Sequence, residues 1–143
     1  MTAREYLKQS FYINKEIDEN ILQLEELDSD ICRCTQIFTD MPPGVHNDNN
    51  AEIKLAAYID KHDELTQKIN EETDKLFETK KEIRLKIYRI TNPKYRLVLM
   101  KWYIRFKKWE QIQEELGYKE LKSVYNVHNK ALSEFIRIHG NIF

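Results

Sequence analysis

Three glycines and three prolines are all that 143 residues offer for turning the chain. A strand-rich fold needs frequent turns, and tight turns draw on Gly, Pro, Asn and Asp. Their scarcity points to a few long helices, an all-α fold. Two of the prolines and one glycine crowd into Asp40-Met41-Pro42-Pro43-Gly44, and Asn and Asp residues continue to Asn50. That stretch is the clearest loop in the chain.

Helical periodicity flanks the loop on both sides. Thr2-Ala3-Arg4-Glu5 reads as a capping box. After it, Leu7, Phe11, Ile17, Ile21, Leu24, Leu27 and Ile31 recur at helical spacing, predicting one amphipathic helix to about 35 or 38. Beyond the loop, Asn50 suits an N-cap, and Leu55, His62, Ile69, Leu76, Ile83 and Ile90 form a seven-residue repeat. Pro93 disfavours helical geometry at Asn92, so this helix should stop there. Its roughly 40 residues would span about 60 Å. The expected architecture for 1–91 is a long antiparallel helical hairpin, coiled-coil-like, for oligomerisation or partner binding. Asp28, His62, Thr73 and Lys80 interrupt its apolar rows. Two helices alone bury little, so further partners are expected, either the C-terminal domain or a second copy, with a homodimer of hairpins as the preferred form.

Residues 92–143 have a different texture. Tyr95, Leu97, Val98, Leu99, Met100, Trp102, Tyr103, Ile104 and Phe106 are apolar almost all round, predicting a buried helix. A short helix over 107–116 stops at Gly117, and a longer one follows from about 119 to Ile138. Leu121, Val124, Val127 or His128, Ala131, Leu132, Phe135 and Ile136 lie along its apolar stripe. A short helix, a glycine-containing turn and a longer helix make a helix-turn-helix pattern. The second helix would present Lys119, Lys122, Ser123, Tyr125, Asn126, Asn129 and Lys130. Asn pairs with adenine edges, and Lys pairs with guanine or phosphate. Lys107, Lys108 and Lys119 stand near the helix starts as candidate phosphate clamps. His128 borders the presented face, while the clustered aromatic residues read as core.

Charge is unevenly shared. Residues 1–91 carry 13 Lys+Arg and 19 Asp+Glu, whereas 92–143 carry 10 and 5. Such asymmetry suggests a polyanion-seeking part on an acidic support. No apolar run approaches the roughly 20 residues of a bilayer span, and no signal peptide is visible, so a cytoplasmic protein is expected. Cys32 and Cys34, two residues apart, point about 200° away from each other on a helix and make a poor metal signature. No nucleophile elbow, Gly-rich phosphate loop or H-E-x-x-H occurs. Neither enzyme activity nor a cofactor or metal is expected.

The segment 92–138 resembles region four of bacterial sigma factors. The likeness rests on Arg96-Leu97-Val98-Leu99-Met100-Lys101-Trp102-Tyr103, on Trp109-Glu110-Gln111-Ile112 with Glu115-Leu116-Gly117-Tyr118, and on Val124 and Lys130-Ala131-Leu132. More loosely, the whole chain is similar to short phage and prophage proteins of Gram-positive bacteria, through Asp40-Met41-Pro42, Asn92-Pro93 and the run 107–112. The resemblance implies a phage transcription regulator of the RinA and ArpU late-activator type, binding double-stranded DNA. Such motifs usually place Ser or Thr before each helix; here Lys108 and Lys119 or Glu120 stand there, and the second turn looks one residue longer. Two other functions share the pattern. One is a protein-interaction module contacting RNA polymerase or another host protein. The other is a packaging component like a small terminase subunit.

Overall fold

The computed structural model describes residues 1–39 and 49–140. All regular elements among the described residues are helical: α1 (Ala3–Leu7), α2 (Gln9–Thr39), α3 (Asn49–Ile87), α4 (Pro93–Leu99), a π-helical segment (Met100–Ile104), α5 (Trp109–Leu116) and α6 (Leu121–His139). The expected loop at 40–48 lies outside the described residues. Because α3 begins at Asn49, Asn50 sits inside the helix rather than capping it.

The chain divides into two compact units: Met1–Asn14 with Lys75–Phe143, and Lys15–Asp74. This division does not follow a boundary at residue 91.

In the first unit, Thr2 and Glu5 form the capping box that opens α1. The helix expected to run unbroken from there is interrupted at Lys8, which caps α1 before α2 begins. α1 buries Ala3, Tyr6 and Leu7 in a core with Ile83, Ile87, Ile90, Leu99, Tyr103, Ile104, Ala131, Leu132 and Phe135. Tyr6 and Phe135 meet with ring centroids 6.3 Å apart. Asn92 caps α4 by accepting from the Lys94 N–H at 3.0 Å, with Pro93 at the first helical position. The segment that follows is not buried all round, since Leu97 keeps 45% of its surface exposed. Its π-helical end closes through Arg105 N–H to Met100 O and Lys107 N–H to Lys101 O, each 3.0 Å. That closure holds Phe106 at φ 55°, where glycine is usual.

A second cluster, Val98, Ile112 and Val124, is fully buried and flanked by Trp102, Trp109, Leu116, Tyr118 and Val127. It ties α4 to α5 and α6. Between those two helices Gly117 takes φ 73°, and Tyr118 N–H returns to Gln113 O at 3.0 Å. A side chain added at Gly117 would meet nothing within 4 Å. Backbone handedness, not space, selects glycine there.

In the second unit the least exposed positions recur at 17, 20, 24, 27, 31 and 34 in α2, and at 55, 58, 62, 65, 69 and 72 in α3. Ile17 and Leu65 are buried, whereas Ile21, expected in the stripe, is 38% exposed. Two of the polar interruptions meet: His62 Nε2 lies 3.0 Å from Asp28 Oδ1. Asn20, itself buried, donates its amide to both Glu72 oxygens at 3.1 Å. Cys32 and Cys34 are free thiols.

Replacing Gly117 by Ala should cost about 1–2 kcal/mol, the usual penalty of a left-handed residue with a Cβ. Gly117→Asn should cost less. Urea denaturation of both variants checks this, and equal costs would mean that φ is not the constraint.

Candidate nucleic-acid interface

The outer face of α6 is built by its inner one. Successive residues turn about 100° around a helix. With Val124, His128, Ala131 and Phe135 buried, Lys122, Tyr125, Asn126, Asn129 and Lys130 necessarily point the other way, and all five are exposed. Ser123 lies on the flank and is half-buried. Lys119 in the turn and Lys108 ahead of α5 are exposed. Among the described residues no ion pair engages Lys108, Lys119, Lys122 or Lys130, so four ammonium groups stand open to solvent around this face.

Lys107 differs from the expected clamp. Its ammonium is paired with Glu115, which also binds Lys101. The two lysines, Lys101 first, hold the Glu115 carboxyl down at about 2. This three-residue knot anchors α5 to the end of the π-helical segment, so Lys107 is already engaged.

Both helix starts lack an ordinary cap. Lys108 precedes α5 and Glu120 precedes α6, and neither side chain accepts a hydrogen bond from the helix. An ammonium has no lone pair to offer. Gln111 supplies only the reciprocal half at α5, accepting from the Lys108 N–H at 3.1 Å. N–H groups in the first turn of α5 thus stay available beside lysines, an arrangement that favours anions.

Of the two positions left open for the apolar stripe, His128 takes the inner one. It is 6% exposed and belongs to the inner face, leaving Val127 half-buried at the edge. Its Nε2 lies 2.8 Å from the Tyr103 hydroxyl. Burial raises the Tyr103 hydroxyl to about 12 and keeps it protonated. Burial first, then the Arg4 charge, lowers His128 from 6.5 to about 4 and keeps it neutral. His128 therefore supports the face from behind and offers no charge to a phosphate.

An aromatic relay lies alongside. Trp102 and Trp109 stack with centroids 3.8 Å apart and planes 16° from parallel. Trp109 in turn meets Tyr125 edge-on at 5.2 Å and His128 at 5.0 Å. Tyr125 is thus positioned by a ring behind it. The sequence pattern placed Trp102 and Trp109 in the core without revealing their stack, which depends on where the π-helical segment sets Trp102.

The compact units sharpen the charge division. Met1–Asn14 with Lys75–Phe143 holds 18 Lys+Arg and 8 Asp+Glu, a net +10. Lys15–Asp74 holds 5 and 16, a net −11. The two add to the chain total of −1. The exposed lysines of α6 and its turn belong to the strongly basic unit.

Comparison of the chain with family models, with curated proteins and with solved structures found no match. Among the described residues no helix is long and apolar enough to cross a membrane, and no cluster of His, Cys, Asp and Glu could hold a metal ion.

Neutral His128 sets a pH dependence of stability. Its folded value lies below its unfolded one, so its contribution is complete above pH 6.5 and is lost as pH falls toward 4. Between pH 7.5 and pH 5 the wild type should lose about 2 kcal/mol more than His128→Gln, measured by urea denaturation at both pH values. Equal losses would show that His128 is not held neutral.

Proposed function

We propose that the chain is a phage-type transcription regulator that reads double-stranded DNA through α5 and α6, a helix-turn-helix with α6 as its recognition helix. The observation that carries this is the outward row Lys122, Tyr125, Asn126, Asn129 and Lys130, backed by buried Val124 and Ala131 and preceded by the left-handed Gly117. Asn126 and Asn129 supply amide pairs of the kind that match adenine, and Lys122 suits guanine. Lys108, Lys119 and Lys130 hold phosphates, and the net +10 of their unit draws the polyanion in. The resemblance of 92–138 to sigma-factor region four supports the same docking. This reading places the protein with the DNA, in the cytoplasm, and gives it no catalytic role.

We take α2 and α3 as the arms of an antiparallel, coiled-coil-like hairpin. Asn20 pairs with Glu72 and Asp28 with His62, so position advances along one helix as it retreats along the other. Ile21, Leu22, Ile53 and Ile59 remain exposed, an apolar surplus that a second copy would cover. In a dimer the half-sites would lie one helical turn apart, about 34 Å, or a multiple of it.

A second reading, docking on a protein such as RNA polymerase, draws on a groove of about 400 Å³ in the first unit. Tyr88, Leu97 and Met100 line it beside Arg96 and Arg105, a surface suited to an acidic partner with apolar anchors.

Selection of bound DNA from a random pool, at two salt concentrations, tests the DNA reading. Wild type should enrich a motif, and Lys122→Ala with Asn126→Ala should lose it, at about 1–3 kcal/mol per base contact, with helicity unchanged. Lys108→Ala should weaken all sequences alike and flatten the log–log salt slope by about 0.9. No enriched motif, or binding insensitive to salt, overturns it. For the dimer, sedimentation equilibrium should give twice the chain mass, reverting to one chain in Ile21→Asp with Ile59→Asp; a monomeric wild type rejects that part.

A further inference from the structure

A cavity of about 210 Å³ opens in the first unit, lined by the aromatic residues Phe11, Trp102, Tyr103 and Phe106. Lys8, Lys107 and Lys108 complete its lining. Among the described residues no carboxylate or amide side chain contributes. The Tyr103 hydroxyl is taken by His128, and the Lys107 ammonium by Glu115. Lys8 and Lys108 enter no ion pair among the described residues. An apolar ring box with two unneutralised cations beside it is complementary to a molecule that is aromatic and anionic.

Size narrows the class further. Benzene occupies an engineered apolar cavity of about 150 Å³, and drug-sized ligands need about 300–1,000 Å³. The space here holds one ring carrying one small charged group.

Phe106 gives an independent reason to regard the box as built. Its φ of 55° strains a residue with a Cβ, and glycine would make the same turn freely. What the phenylalanine adds is its ring, fixed edge-on by Phe11 at 5.9 Å and covered by the Lys80 ammonium at 4.6 Å. Strain retained to place one cavity wall is a mark of a functional site.

We propose that this cavity binds a small single-ring aromatic anion, an aryl carboxylate or aryl phosphate, with its ring among Phe11, Trp102, Tyr103 and Phe106 and its charge at Lys8 and Lys108. The proposal does not depend on the DNA reading, and its test contains no DNA. Both tryptophans of the chain lie at or against this cavity, so intrinsic fluorescence reports occupancy.

The full-length protein is titrated with phenyl phosphate, inorganic phosphate and benzyl alcohol, with calorimetry as the second readout. Phenyl phosphate should bind saturably, one per chain, and roughly tenfold more tightly than either fragment, as charge-assisted contacts and ring burial combine. Lys8→Ala with Lys108→Ala should weaken it roughly tenfold. Phe106→Gly should weaken it as well while leaving thermal stability equal or higher; should that variant fail to fold, the lysine pair decides. Inorganic phosphate binding as tightly as phenyl phosphate would mean a bare anion site and overturn the proposal. So would benzyl alcohol binding as tightly, an unaffected lysine variant, or no saturable binding at all.

Discussion

Tyr103 is held from two sides. Its carbonyl accepts the buried Ser10 hydroxyl at 2.9 Å, and its own hydroxyl shares a hydrogen bond with His128. One residue with 1% exposure thereby joins α2, the π-helical segment and α6. Each bond is ordinary in strength, about 1 kcal/mol net, but leaving any partner unpaired inside this core would cost more than the bond supplies. The outward direction of Lys122 and Asn126 follows from this arrangement, because His128 can reach Tyr103 only if the opposite side of α6 faces solvent.

Charge is organised on a larger scale than any single contact. The basic unit and the acidic unit differ by 21 charges within one chain whose net charge is −1. Exposed charges are screened over about 8 Å at physiological ionic strength, so a ligand near one unit feels that unit and not the average. Overall pI is therefore a misleading guide to the partners of this chain. The Glu115 knot shows the same logic in miniature: a carboxylate in the basic unit is used to fix a helix, and its presence removes Lys107 from the set of open cations.

What the amino-acid pattern made legible was local. The capping box at Thr2, the break before Pro93, the left-handed Gly117 and the stripe through Val124, Ala131 and Phe135 all depend on neighbours within a turn or two. What stayed hidden required partners distant in the chain. Tyr6 and Leu7 look like the start of a long amphipathic stripe, and nothing in their spacing says that they pack with Phe135 rather than with α3 alone. Choosing between Val127 and His128 is a matter of one residue, about 100° of helix, and only the Tyr103 hydroxyl resolves it. The π-helical turn and the left-handed Phe106 carry no glycine to announce them. Of the lysines proposed for DNA, exposure could be guessed from composition, but the engagement of Lys107 could not.

The first compact unit is discontinuous, its opening 14 residues separated from the remainder by the 60 of Lys15–Asp74. During synthesis, Ala3, Tyr6 and Leu7 leave the ribosome long before Phe135 exists to cover them. Their burial is among the most non-local contacts in the molecule, the kind that slows folding because chain entropy is lost before the contact rewards it. Ala3, Tyr6 and Leu7 thus act as a late-closing seam: the basic unit is completed only when they meet residues translated long after them. A truncation that spares every residue of α5 and α6 can still deprive them of their floor.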